Sequence, residues 1–205
     1  FREAMKDLKG ILHKVFVCHG VTVPGSLKTL NLKHWDRCMN INVRSVFMVV
    51  SLAVPFLKLM KDENPSVCIV TGEAGMTPYL GYTAFSVAKA MLNSFIECAA
   101  LELAYHNIRV NGVAPGVTTK NFSEAAGANV RKKGIDKTLY ISENQIPFTM
   151  HPVTKAELGS ISDPKVTEAA EVADTVCWLH SDEASYITGE ITKVDGGFSL
   201  TTANY

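Results

Sequence analysis

The sequence predicts an α/β fold, in which short buried strands follow long amphipathic helices, and three stretches carry the expectation. Residues 82–105 place Ala84, Val87, Ala88, Met91, Leu92 and Phe95 at helical spacing, with no proline or glycine in the run. A β-branched strand follows at once, Ile108, Val110 and Val113, closed by Pro115-Gly116. The same order returns at the end of the chain, where a helix over 167–180 precedes a strand over 190–194.

The remaining elements follow in order. Residues 1–11 read as the end of a helix with Met5 and Leu8 on one face and Gly10 as its stop. KVFVC, residues 14–18, reads as a strand ended by Gly20. A short helix is expected around 33–39, and a second, long helix from Asn42 to about Met60, kinked by Pro55, which has no N–H to give. SVCIVT, residues 66–71, reads as a strand after the polar turn 61–65. Thr167 is the expected N-cap of the 167–180 helix, with Glu168 and Glu171 favourable in its first turn.

The 205 residues form one domain, 1–205, large enough for a real core. Twenty acidic and twenty basic side chains balance, which argues against a nucleic-acid binder. The basic cluster Arg131-Lys132-Lys133 reads as a solvated loop. Five scattered cysteines without a CxxC pair argue against zinc and a disulfide framework, and for reduced thiols in an intracellular protein, cytoplasmic or mitochondrial. The most apolar run, Val46 to Leu57, is shorter than the ~20 residues a membrane span needs. No targeting segment is visible.

The run IRVNGVAPG (Ile108 to Gly116), Lys89 on the preceding helix, Trp35-Asp36, Asn42 and the closing TGEITKVDGG (Thr188 to Gly197) together resemble the short-chain dehydrogenase/reductases. The resemblance implies a doubly wound parallel sheet of Rossmann type that binds NAD or NADP. It covers about Lys14 to Phe198. It also implies that three strands and the pyrophosphate-holding glycine turn belong before Lys14, so that the N-terminal strands are missing and about two thirds of the fold is present. Without a neighbouring strand, Val15-Phe16-Val17 would be an open apolar edge, which calls for cover by further residues or a partner chain.

The same resemblance implies where chemistry would sit. Cofactor-binding positions are Gly20, Lys89, Pro115, Gly116, Val117 and Thr119, and catalytic remnants are Asn42 and Lys89. The chain departs from the family pattern at three places. Phe85 stands where a tyrosine would exchange a proton with the substrate, and Gly72 stands where a serine would polarise its carbonyl. Val17-Cys18-His19-Gly20 replaces an Asn-Asn-Ala-Gly run. General acid–base catalysis contributes on the order of 10²- to 10⁴-fold. Thr71 and Tyr82 are the rescue candidates, though Thr71 should face away by strand alternation and Tyr82 lies too far along the helix. Tyr82 then reads as a surface or interface aromatic, His19 as a structural loop residue and Glu73 as a solvated turn carboxylate. Residues 121–164 read as a lid or docking loop.

From these departures the sequence favours a catalytically degenerate member of the family, a structural or interaction subunit. It would be a homo-oligomer or part of a larger assembly through helices 42–60 and 82–105. Two alternatives stand beside it. One is an NAD(P)-dependent oxidoreductase of carbonyls and alcohols with displaced acid–base groups; the other is a nucleotide-binding sensor without turnover.

Overall fold

The computed structural model describes residues 1–79, 81–116, 167–197 and 199. Val117, Thr119 and the expected loop 121–164 lie outside the described residues. Four strands form one parallel sheet in the order β1-β2-β3-β4: β1 (Lys14–Val17), β2 (Ser66–Val70), β3 (Arg109–Pro115) and β4 (Ile191–Val194). The register sets Val15 beside Val67 and Val67 beside Val110. The helices are α1 (Arg2–Asp7), α2 (Leu32–Met39), α3 (Ser45–Leu57), α4 (Thr83–Ala104) and α5 (Ala169–His180).

The doubly wound expectation holds in detail. On one face, Val15, Val17, Val67, Ile69 and Val110 pack against Val46, Val50 and Leu57 of α3 and Leu92 and Ile96 of α4. On the other face, Cys68 and Val113 pack against Val172, Val176 and Leu179 of α5. Cover on both faces is why β2 reads as an unbroken apolar run rather than an alternation. β1 lies at the edge of the sheet among the described residues, with Phe16 45% exposed.

Two expectations are corrected. The helices expected at 33–39 and 42–60 are one continuous helical stretch, Leu32–Met60, because a π turn over Asn40–Arg44 joins α2 to α3 without a break. Asn42 is the reason: its side chain turns inward, 0% exposed, and bonds to the preceding loop instead of ending the helix. α3 runs on through Pro55 to Leu57 and tightens to a 3₁₀ turn over Lys58–Met60. At α5 the N-cap is Glu168, not Thr167. Glu168 and Glu171 form a reciprocal capping box, while the Thr167 hydroxyl donates to the Val194 carbonyl at 3.1 Å.

By length and composition alone, Leu32–Met60 and Thr83–Ala104 are each apolar enough to cross a membrane, with mean hydropathies of 1.8 and 1.3. Their inner faces instead pack on the sheet.

The polar members of the β3 run are braces. Arg109, 5% exposed, donates to Asn64 Oδ1 at 2.8 Å, to the Leu179 carbonyl at 2.7 Å and to the Ser181 carbonyl at 3.3 Å. Asn111 donates to the Ile187 carbonyl at 2.8 Å and accepts from the Glu190 amide at 3.1 Å. These bonds satisfy the last carbonyls of α5, which have no partner within their own helix, and carry the chain into β4.

Candidate active site

The site lies at the carboxyl ends of β1, β2 and β3, where open α/β sheets bind ligands. β2 ends at Val70, and Gly72 leads into a 3₁₀ turn over Glu73–Gly75. This turn lies directly on α4. A Cβ at Gly75 would come within 2.6 Å of the Lys89 carbonyl carbon and 2.8 Å of the Ala90 amide nitrogen. Only glycine permits that approach, and it delivers Lys89 to the end of the strand.

Lys89 is 4% exposed, and its ammonium donates to the Val70 carbonyl at 3.1 Å. Its Nζ also stands 5.5 Å from the Phe85 ring centroid, within cation–π range. No carboxylate pairs with it among the described residues. Burial therefore pulls its pKa down to about 8, opposed in smaller part by the Cys38 thiol. Lys89 is thus not the solvated charge that helix lysines usually are.

Asn42 closes the neighbouring wall. Its Nδ2 donates to the carbonyls of Val21 and Cys38, each at 2.9 Å, and its Oδ1 accepts from the Val21 amide at 2.9 Å. Cys38 is buried beside it; burial raises its thiol pKa, while Asn42 and Lys89 work the other way. Gly20 joins the two: a Cβ there would meet Asn42 Oδ1 at 2.9 Å and Lys89 Nζ at 3.6 Å. The structure therefore brings Gly20, Asn42 and Lys89 together. Pro115 and Gly116 end β3 at the same end of the sheet. Gly116 donates to the Val194 carbonyl at 3.0 Å, and a Cβ on it would strike Asp195 at 2.9 Å, so it has a packing reason of its own.

Phe85 packs in an apolar cluster with Val21, Val23, Trp35 and Cys38. At Gly72 a Cβ would sit 3.6–3.8 Å from the Lys89 stem, ordinary contact, so a side chain fits there. Thr71 is 2% exposed, and its hydroxyl donates to the Val113 carbonyl at 3.4 Å. Tyr82 is the N-cap of α4 and half-buried, bridged to Gly25 across the turn. His19 is exposed and shares a hydrogen bond with the Ser45 hydroxyl.

Glu73 is a further correction. It is 1% exposed, not solvated, because the Tyr79 phenol folds over it and donates to Oε2. Burial, and in smaller part the adjoining Glu73 carboxylate, push the Tyr79 pKa well above the usual tyrosine value, so this phenol stays protonated at neutral pH. The pairing was missed because the two residues stand six apart across an irregular turn, where no helical or strand period relates them.

Comparison with known proteins agrees with this architecture. Residues 1–131 match the family described as short chain dehydrogenase, and residues 150–199 match the one described as enoyl-(acyl carrier protein) reductase. The chain belongs to the short-chain dehydrogenase/reductase family. It is 31% identical over 181 residues to a 3-oxoacyl-[acyl-carrier-protein] reductase of Thermotoga maritima, covering 88% of this chain and 63% of that protein. It is 32% identical over 173 residues to dehydrogenase/reductase SDR family member 4 of Oryctolagus cuniculus, covering 84% of this chain and 58% of that protein. The chain thus spans less than two thirds of the length of these relatives. Among solved structures, an acetoin dehydrogenase from Salmonella typhimurium superposes with a TM-score of 0.74 at 23% identity, over 100% of this chain and 70% of that one, a likeness of fold.

A buried ammonium without a counter-ion costs stability. Lys89→Met is expected to stabilise the protein by up to about 3 kcal/mol at pH 7, since the pKa is lowered from 10.5 to about 8 and each unit is worth about 1.4 kcal/mol. Because the folded pKa is depressed, wild-type stability is fully present only above the unfolded value of 10.5 and is lost as pH falls through about 8. The advantage of the variant should therefore shrink between pH 8 and 10.5. Urea unfolding across that range checks it.

Proposed function

We propose that the chain is an NAD(P)-dependent oxidoreductase that interconverts a carbonyl and an alcohol, with Lys89 in place of a tyrosine as the acid–base group. The observation that carries this reading is the Lys89 ammonium, buried at the strand ends, one hydrogen bond made, its pKa lowered to about 8. That value suits proton exchange near neutral pH. The family membership and the reductase and dehydrogenase names of the relatives favour this reading over a degenerate subunit.

The residues present fit the ribose side of a nicotinamide nucleotide. Lys89 has donors beyond its bond to Val70. Gly20, without a side chain, leaves backbone approachable beside Lys89 and Asn42. When bound, the nucleotide supplies or accepts the hydride. In the reducing direction the Lys89 ammonium gives its proton to the oxygen that becomes the alcohol; in the oxidising direction the neutral amine takes it back. Asn42 holds the wall formed by Val21 and Cys38, and Phe85 screens Lys89 from water on its other side.

A second reading, the structural or interaction subunit, is favoured by one observation: neither Phe85 nor Gly72 offers a hydroxyl. The two readings share a partner. α3 carries no charged residue, yet Phe47, Met48 and Leu52 are about half exposed, as is Met91 on the adjoining α4. Between them runs an apolar groove of about 590 Å³ lined by Met39, Val43, Phe47, Met91 and Phe95. Such a patch fits a second copy of this chain in an isologous dimer. Sedimentation should give the dimer mass, and a monomer at micromolar concentration would contradict it. The five cysteines are free thiols, which supports a reducing, intracellular setting.

The test of function is oxidation of NADH and NADPH with a panel of aldehydes and ketones. Turnover is expected, falling as pH rises through about 8 in the reducing direction, and lost in Lys89→Met. Phe85→Tyr with Gly72→Ser should raise kcat roughly 10²-fold or more by restoring both hydroxyls. No turnover without cofactor binding supports the subunit reading, and tight binding without turnover supports a sensor.

A further inference from the structure

The Lys89 amine is fixed on two sides. The Val70 carbonyl of β2 takes one N–H at 3.1 Å, and the Phe85 ring of its own helix stands 5.5 Å away. The side toward Gly20 is different. Gly20 is exposed, and a carbon placed where its side chain would begin lies 3.6 Å from Nζ and 2.9 Å from Asn42 Oδ1. Apart from chain neighbours, no other atom of the described residues comes within 4 Å of that point. A notch of one or two carbons therefore opens beside an exposed residue and ends on the amine. Its distance to Nζ is close to the ~3–3.5 Å from which reacting atoms attack.

The surroundings suit the amine to act as a nucleophile. With its pKa lowered to about 8, roughly a tenth is neutral at pH 7, against less than about 0.1% for an ordinary lysine. The bond to Val70 orients the neutral amine and leaves its lone pair unused. The titratable group that acts on it is the Cys38 thiol of α2; Glu73, at the same end of the sheet, is engaged by Tyr79 and has no part in the shift. Asn42 Oδ1 accepts one bond, from the Val21 amide, and has a second lone pair facing the notch. We propose that Lys89 captures small aliphatic aldehydes as a Schiff base, the aldehyde entering past Gly20. The neutral amine adds to the carbonyl carbon, the carbonyl π pair moves to oxygen, and a proton passes from nitrogen to that oxygen. The resulting carbinolamine hydroxyl donates to Asn42 Oδ1. Loss of one water gives the imine, so amine and aldehyde become imine and water with no change of oxidation state. Desolvated lysines of lowered basicity are the ones that do such chemistry. The inference goes beyond the oxidoreductase reading and does not rest on it, since neither cofactor nor hydride enters.

The test is reductive trapping of the whole chain with acetaldehyde and cyanoborohydride at pH 7, read by peptide mass spectrometry. Cyanoborohydride turns the imine into an N-ethyl amine, which marks the lysine. Lys89 should be marked roughly tenfold or more faster than the exposed Lys58 and Lys61, and denaturing urea should abolish the difference. Pivalaldehyde, whose tert-butyl group is too wide for the notch, should show no such preference. Gly20→Ala sets a methyl group in the approach and should slow marking of Lys89 roughly tenfold or more. That methyl also crowds Asn42, so the comparison of the two aldehydes on the unaltered chain carries the test if the variant does not fold. Marking of Lys89 no faster than of Lys58 and Lys61, or equal marking by both aldehydes, overturns the proposal. So does a folded Gly20→Ala chain that reacts as the wild type does. Reduction of ketones by NADPH without trapping at Lys89 keeps the function proposed above and removes this one. Trapping without any turnover does the reverse.

Discussion

The site depends on one close approach. Because residue 75 has no side chain, the turn after β2 lies backbone to backbone on α4, with the would-be Cβ only 2.6 Å from the Lys89 carbonyl carbon. The approach fixes the height of α4 against the strand end. Lys89 then has nowhere to go but inward, onto the Val70 carbonyl. Any side chain at 75 would push the helix outward, and the ammonium would reach water, its pKa returning toward that of an ordinary lysine.

The rest of the fold serves this placement. Helices on both faces bury β2 and β3, and Arg109 and Asn111 lock the far end of β3 to α5 and the approach to β4. The near end is left to buried charged groups that lower stability. Among the described residues, Lys89 is buried without an anion, and Glu73 is buried with one oxygen unpaired. Proteins commonly carry such unfavourable groups where function requires them. Their coexistence at the strand ends favours a working pocket over an inert scaffold.

Much of this was legible in the sequence. The 82–105 helix, the β3 strand and the closing strand all lie where periodicity and the family motifs put them, within a residue or two. Gly20, Asn42 and Lys89 converge because motif positions carry tertiary information that a single helix period does not. What escaped was set by side-chain bonding across irregular backbone. Asn42 looked like a helix start, but its inward bonds to Val21 and Cys38 let a π turn carry the helix through. Thr167 looked like a cap, but its hydroxyl is taken by Val194. Glu73 looked solvated because nothing in its local pattern announces the phenol of Tyr79 above it.

The loss of the tyrosine and serine hydroxyls made a degenerate protein the natural expectation. The buried lysine changes the balance, since an ammonium near neutrality can itself exchange a proton. The most direct test is therefore the titration of Lys89 itself, followed by NMR of protein labelled at lysine Cε. The account predicts a midpoint near 8 for Lys89. A midpoint at or above about 10, that of an exposed lysine, would contradict it.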